Sequence, residues 1–126
     1  MGSFKSGLLV LSRNIRSKKR KQKKKKKEFT AEQLSRYNGT NGSSPIYVAI
    51  KGRVFDVTTG KSFYGPGGDY AMFAGKDASR ALGKMSKNEE DVSPSLEGLT
   101  EKEMNTLNDW ETKFVAKYPV VGRVVS

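Results

Sequence analysis

The last quarter of the chain carries apolar residues at helical spacing. Intervals of three and four place them on one stripe of a long helix: Met104, Leu107, Trp110, Phe114 and Tyr118. Thr100 and Glu103 fit a capping box at the start of this helix, and Pro119 stops it. The stripe predicts core positions from its start to Phe114, and Trp110 is among them.

Two runs rich in β-branched and aromatic residues, 46–50 and 53–57, predict the strands of a β-hairpin. Lys51-Gly52 between them fits a tight turn. Residues 120–125 are rich in valine, and we expect them to form an edge strand. The predicted class is therefore α+β: a small sheet with short helices and one longer C-terminal helix.

Two short helices are predicted on either side of this hairpin. Thr30 and Gln33 fit another capping box, which opens the first of them. Asp77 stands where the second begins, so its carboxylate can cap free N–H groups there, and the helix dipole favours its charge. Ser79 and Arg80 are assigned to the initiation of that helix and to surface pairing.

Residues 63–82, FYGPGGDYAMFAGKDASRAL, combine aromatic side chains with glycine. The glycines allow positive φ and close backbone approach, while Pro66 fixes its own φ. Such a loop can lie flat against a planar ligand while Tyr64 and Tyr70 project from it. The alternative is an ordinary turn-rich connector whose tyrosines complete the core.

Half of the basic residues lie in the first 27 positions. Residues 1–27 hold 12 of the 24 Lys and Arg residues and no acid, so residues 28–126 hold 12 bases against all 13 acids. The net charge of +11 therefore belongs to a basic tail, 1–27, which we expect to be disordered. The remainder is long enough for one core, and its charge balance does not predict a nucleic-acid-binding face.

The tail leaves three interpretations open: a membrane-surface patch, a nuclear-import or nucleic-acid patch, and a solvated arm. MGSFKS fits myristoylation of Gly2, and the basic run Arg13 to Lys27 could supply the second signal that peripheral membrane binding needs. The apolar run 7–11 is too short to span a bilayer. The expected location is the cytosolic face of endomembranes or the plasma membrane, or the nucleus.

Several motifs occur in a known order. They are EFTAEQLSRYNG from residue 28, IYVAIKGRVFDVT from 46, the glycine-rich run from 63, LNDWETKF from 107 and KYPVVG from 117. Together they resemble the membrane-associated progesterone receptor family, and in particular its small plant steroid-binding proteins. The resemblance covers residues 28–126 and implies a cytochrome b5-like haem- and steroid-binding domain.

The resemblance also implies the site residues. Tyr70 would be the axial ligand of a five-coordinate ferric haem, and phenolate is an established haem ligand. Tyr64, Lys117 and Tyr118 would form the hydrogen-bonding and charged shell around it. Asp77 matches a family position associated with the pocket, although a helix cap explains it as well. The chain has no histidine, which excludes the bis-histidine ligation of cytochrome b5, and no cysteine, which excludes thiolate ligands.

The function implied is a non-catalytic module acting in haem handling, sterol signalling or the support of haem-thiolate monooxygenases. The exposed face of a five-coordinate haem could pair with a second haem-bearing protomer. Two alternatives are an electron-transfer haem protein and a nuclear or nucleic-acid-associated protein acting through its tail.

Overall fold

A four-stranded mixed sheet runs through the part of the chain that the structure describes, residues 27–125. The structure is a computed structural model. The strands are β1 (Lys27–Phe29), β2 (Tyr47–Ile50), β3 (Arg53–Asp56) and β4 (Val120–Val124), in the order β1-β4-β3-β2. β1 runs parallel to β4, and the other pairs are antiparallel. The predictions made for residues 1–26 lie outside the described residues.

β4 is an inner strand, so the prediction of an edge strand for residues 120–125 was wrong. β1 pairs with its outer side, where Lys27 aligns with Gly122 and Phe29 with Val124. This approach needs glycine at position 122, because a Cβ there would clash with the Lys27 carbonyl group. A three-residue strand at the end of a lysine run has no pattern of its own, and β1 was therefore not predicted.

The β2–β3 hairpin forms as predicted. Lys51 and Gly52 both have positive φ, +51° and +80°, which is the backbone of the tight turns that join twisted strands. The Asp77 carboxylate connects this turn to Ser79 through hydrogen bonds. It accepts hydrogen bonds from the N–H groups of Gly52 and Ser79, each at 3.0 Å, and one from the Ser79 hydroxyl at 2.5 Å.

The helices are α1 (Ala31–Ser35), α2 (Lys61–Tyr64), α3 (Ser79–Lys84) and α4 (Glu101–Lys117). Both predicted capping boxes are present, with the side chains of Thr30 and Thr100 accepting hydrogen bonds from the N–H groups of Gln33 and Glu103. Within residues 27–125, no helix has the length and apolar character needed to cross a membrane.

Apolar side chains cover both faces of the sheet. The larger cluster joins Val48, Ile50 and Phe55 of the hairpin to Leu107 and Phe114 of α4. The smaller cluster, on the other face, contains four buried residues: Phe29, Leu34, Ala49 and Val54. The stripe along α4 is thus the core face of that helix, although two of its predicted core members, Met104 and Trp110, are only partly buried.

Candidate ligand-binding site

The glycine-rich loop folds back onto α2. The N–H group of Tyr70 donates to the carbonyl oxygen of Phe63 at 2.8 Å. A Cβ at Gly68 would clash with the same carbonyl group, and Gly67 adopts a φ of +84°, so both positions favour glycine. The loop therefore holds Tyr70 beside the end of α2.

Five aromatic rings meet where α2, the loop and α4 converge: Tyr64, Tyr70, Phe73, Phe114 and Tyr118. We call them the aromatic cluster. The centre of the Tyr64 ring lies 6.0 Å from that of Tyr70 and 6.3 Å from that of Tyr118. Tyr70 stacks on Phe73 at 5.6 Å with 10° between the planes. Three of the predicted site residues are therefore neighbours.

Two apolar hollows open on this cluster, and Trp110 lines both of them. The loop-side hollow has a volume of about 100 Å³ and is lined by Tyr70, Phe73, Ala81, Leu82, Met85, Ser86, Lys87 and Trp110. The helix-side hollow has a volume of about 350 Å³ and is lined by Tyr64, Trp110, Lys113, Phe114, Ala116, Lys117 and Tyr118. Trp110, which the sequence placed in the core, is thus a shared wall of both hollows.

Lysine ammonium groups lie over the rings of this site. Lys117 Nζ is 5.8 Å from the centre of the Phe63 ring and 5.6 Å from that of Tyr118. Lys87 Nζ is 5.5 Å from the centre of the Tyr70 ring. Lys117 was expected at the site, whereas Lys87 was not singled out in the sequence.

The three tyrosines of the aromatic cluster differ in their surroundings. Burial raises the pKa of the Tyr64 phenol above its ordinary value, and the nearby phenols of Tyr118 and Tyr70 raise that pKa further. Tyr64 therefore stays a neutral hydrogen-bond donor at physiological pH. Tyr70 is only partly buried. Within residues 27–125, none of these three hydroxyl groups makes a hydrogen bond.

Asp77 lies in a different environment. Its Oδ2 accepts a hydrogen bond from Gly52 of the hairpin turn, and its Oδ1 accepts two from Ser79 at the start of α3. The hollow that it lines is formed with residues of α1 and β4 and contains no member of the aromatic cluster. The structure thus brings Tyr64, Tyr70, Lys117 and Tyr118 together, but it gives Asp77 a bracing role between the hairpin and α3.

Gly60, which the sequence did not single out, sets the position of Tyr118. A Cβ at this glycine would lie 2.5 Å from the Tyr118 hydroxyl oxygen and 3.4 Å from Cδ2 of Tyr64. Only a residue without a side chain lets the two tyrosines approach this backbone. The sequence shows only a single glycine before α2, which does not by itself indicate this contact.

Gly60→Ala is expected to lower the free energy of unfolding by about 1–2 kcal/mol, because the added methyl group must displace Tyr118 from a packed position. Urea denaturation measures the loss. Gly42→Ala is the matched control: a Cβ there meets nothing within 4 Å, so a change below about 0.5 kcal/mol is expected. Equal stability of the two variants would contradict the contact.

The sequence matches one family model over residues 30–125, described as the cytochrome b5-like haem/steroid-binding domain. The chain belongs to this family. The match contains the aromatic cluster, both hollows and the hairpin that braces α3. It confirms the fold predicted from the resemblance.

Individual proteins agree with this assignment. The chain is 92% identical over 99 residues to probable steroid-binding protein 3 of Arabidopsis thaliana, a match that covers 79% of this chain and 99% of that protein. It is 42% identical over 107 residues to a cytochrome P450 regulator of Schizosaccharomyces pombe, covering 79% of this chain and 64% of the regulator. It also matches membrane steroid-binding proteins of Arabidopsis and rice, confirming the progesterone-receptor resemblance, but spans only 37–44% of their length.

A solved structure supports the same fold. The solution structure of a steroid-binding protein from Arabidopsis superimposes with a TM-score of 0.75 at 90% identity. The superposition covers 80% of this chain and 99% of that protein. The described domain is therefore shared as a whole, rather than as an isolated motif.

Proposed function

We propose that this protein is a non-catalytic haem-binding module in which Tyr70 is the axial ligand of ferric haem. One observation carries the proposal. Tyr70 lines an apolar hollow, is only partly buried, and makes no hydrogen bond through its hydroxyl within residues 27–125. Its oxygen can therefore reach an iron atom without breaking an interaction of the fold.

The neighbouring groups suit a phenolate ligand. Iron supplies the Lewis acid that a phenol needs in order to bind as phenolate, and the protein must then accommodate negative charge on the oxygen. The neutral phenol of Tyr64 can donate a hydrogen bond in this region, and the ammonium groups of Lys87 and Lys117 add positive charge. Tyr118 completes the shell at the end of α4.

The shape of the site suits a flat, apolar ligand. Both hollows are lined mainly by aromatic and aliphatic side chains, and they meet at the Trp110 ring. Ligand pockets of proteins are typically apolar with a few placed polar groups, as here. The same lining favours a second candidate ligand, a steroid, which the family description and the relatives' names also support.

A role in supporting haem-thiolate monooxygenases rests on one relative, the S. pombe protein named a cytochrome P450 regulator. A haem held by a single tyrosine would leave one face open, and that face could meet a partner or a second protomer. This favours a binding module over an electron carrier that encloses both faces of its haem.

The proposal is tested by titrating ferric haem into the full-length protein. Trp110 is the only tryptophan of the chain and lines both hollows, so quenching of its fluorescence reports occupancy. We expect saturation at about one haem per chain, with a phenolate-to-iron absorption band. A displacement titration with progesterone then shows whether steroid shares the site. Absence of saturable quenching and of the band would overturn the proposal.

A further inference from the structure

Three lysines surround the two hollows. Besides Lys87 over Tyr70 and Lys117 over Phe63 and Tyr118, Lys113 Nζ lies 5.4 Å from the centre of the Trp110 ring. All three side chains belong to exposed residues. Each ammonium group is therefore held beside a ring of the site while it faces solvent.

These ammonium groups have no carboxylate partner within residues 27–125. Five other basic residues of the domain do form ion pairs: Lys51, Arg53, Lys76, Lys84 and Arg123. Within residues 27–125, none of the three carboxylates of the acidic run 89–91 forms an ion pair with Lys87: Glu89 pairs with Lys76, and Asp91 accepts a hydrogen bond from the Ser86 hydroxyl. Asp69, exposed beside Tyr70, and Asp109, exposed one helical turn before Lys113, are two carboxylates against three ammonium groups, and neither forms an ion pair with them within residues 27–125.

The positive charge at the hollows is therefore local. Residues 28–126 carry 12 bases and 13 acids, so the domain as a whole has no excess of positive charge. An ammonium group has three donors, so one that lies over a ring on an exposed side chain keeps donors available for an anion. Apolar walls with unpaired ammonium groups at the edge match a molecule that is apolar over its body and acidic at its margin.

We propose that Lys87 and Lys113 form a carboxylate-recognising rim, which makes the protein prefer flat apolar ligands with an acidic group over neutral ligands of the same shape. The inference rests on the proposed function and adds a class of ligand to it. Lys117 contributes to the same field, but its contacts with Phe63 and Tyr118 tie it to the aromatic cluster as well. Lys87 and Lys113 are therefore the residues that test the rim.

The experiment compares metal-free protoporphyrin IX, which has two carboxylates, with its neutral dimethyl ester. Without iron, ligation by Tyr70 makes no contribution to either affinity. A carboxylated steroid and its neutral parent form a second pair, which distinguishes an acidic porphyrin from an acidic steroid as the source of the carboxylate. Quenching of Trp110 fluorescence in the full-length protein gives each Kd.

We expect the native protein to bind the porphyrin diacid about tenfold more tightly than the ester at low salt, because exposed ion pairs each contribute up to about fivefold. Lys87→Gln with Lys113→Gln should reduce that ratio to about threefold or less, and leave the Kd of the ester unchanged within about twofold. Raising the salt to 1 M should have a similar effect, since it shortens the screening distance to about 3 Å.

Lys102→Gln is the matched control. It removes one exposed ammonium group near the start of α4, away from both hollows, and Lys102 forms no ion pair within residues 27–125. Its acid-to-ester ratio should equal that of the native protein. The basic tail is identical in every variant, so its contribution to the acid-to-ester ratio is the same in the control and in the double variant.

The inference is overturned if the native protein binds acid and ester equally in both pairs, or if the double substitution leaves the acid-to-ester ratio at its native value. The second result would assign the preference to other basic groups, either Lys117 or the tail. Either failure leaves the phenolate-to-iron band of the haem titration untouched, so the rim can fail while the haem site stands. A preference confined to one pair supports the rim and identifies which kind of acid it takes.

Discussion

Replacing Tyr70 by phenylalanine is expected to abolish the phenolate-to-iron band and to weaken ferric haem binding by roughly 100-fold. Loss of a group that merely supports a metal ligand already costs about 10- to 100-fold, and loss of the ligand itself should cost no less. The residual affinity would come from the apolar walls, which the substitution leaves intact. Visible absorption and Trp110 quenching, recorded in one titration, measure both effects.

Tyr70→Phe should have little effect on the stability of the fold. The Tyr70 hydroxyl makes no hydrogen bond within residues 27–125, and the ring can keep its stacking on Phe73 at 5.6 Å. A change in the free energy of unfolding below about 0.5 kcal/mol is therefore expected. A loss of haem binding could then not be explained by unfolding.

Tyr47→Phe is the control for Tyr70→Phe. Tyr47 is also a partly buried tyrosine, but it stacks on Tyr37 at 4.5 Å beside the smaller cluster, on the other face of the sheet. Its removal should leave the band and the affinity unchanged. If Tyr70→Phe binds haem with the native spectrum, Tyr70 is not the ligand.

The elements that the sequence predicted are those set by neighbours in the chain. Capping boxes join residues three positions apart, and the Lys51-Gly52 turn joins adjacent strands, so both can be read locally. The parallel pairing of β1 with β4 joins Lys27 to Gly122, across nearly the whole domain. No local pattern encodes such a contact, and this explains why β4 was placed at the edge of the sheet.

The residues of the candidate site also fall into those that the sequence predicted and those that only tertiary contacts reveal. Tyr64, Tyr70, Lys117 and Tyr118 were predicted because they lie in motifs with a recognisable order, and the structure brings them together. Their roles toward haem stay a prediction. Lys87 and Gly60 were missed because their importance comes from a tertiary neighbour, the Tyr70 ring in one case and the Tyr118 hydroxyl in the other.

The position of Trp110 could be predicted from helical spacing only in part. Spacing placed it on the same face as Leu107 and Phe114, and it does pack against the core. Periodicity gives the direction of a side chain, but not whether another element covers it. Trp110 lines both hollows and is only partly buried, so part of its side chain remains accessible to a ligand.

Phe114 links the stability of the domain to its site. Its ring is 3% exposed and lies 5.4 Å from the Phe55 ring, 6.1 Å from Tyr64 and 5.2 Å from Tyr118. Phe114→Ala is expected to lower the free energy of unfolding by about 3–5 kcal/mol, because it removes buried apolar surface and leaves a cavity among rings that cannot all move inward. For a domain of this size that means a Tm lower by about 12 °C or more.

Val115→Ala is the control for Phe114→Ala. It is the next residue on α4, is 50% exposed, and also shortens an apolar side chain. Its unfolding free energy should stay within about 0.5 kcal/mol of the native value, since alanine also favours the helix. Phe114→Leu should fall between the two, because it retains much of the volume but loses the ring contacts. If Phe114→Ala costs no more than Val115→Ala, the aromatic cluster is not supported from the core, and the positions of Tyr64 and Tyr118 must be set by another part of the fold.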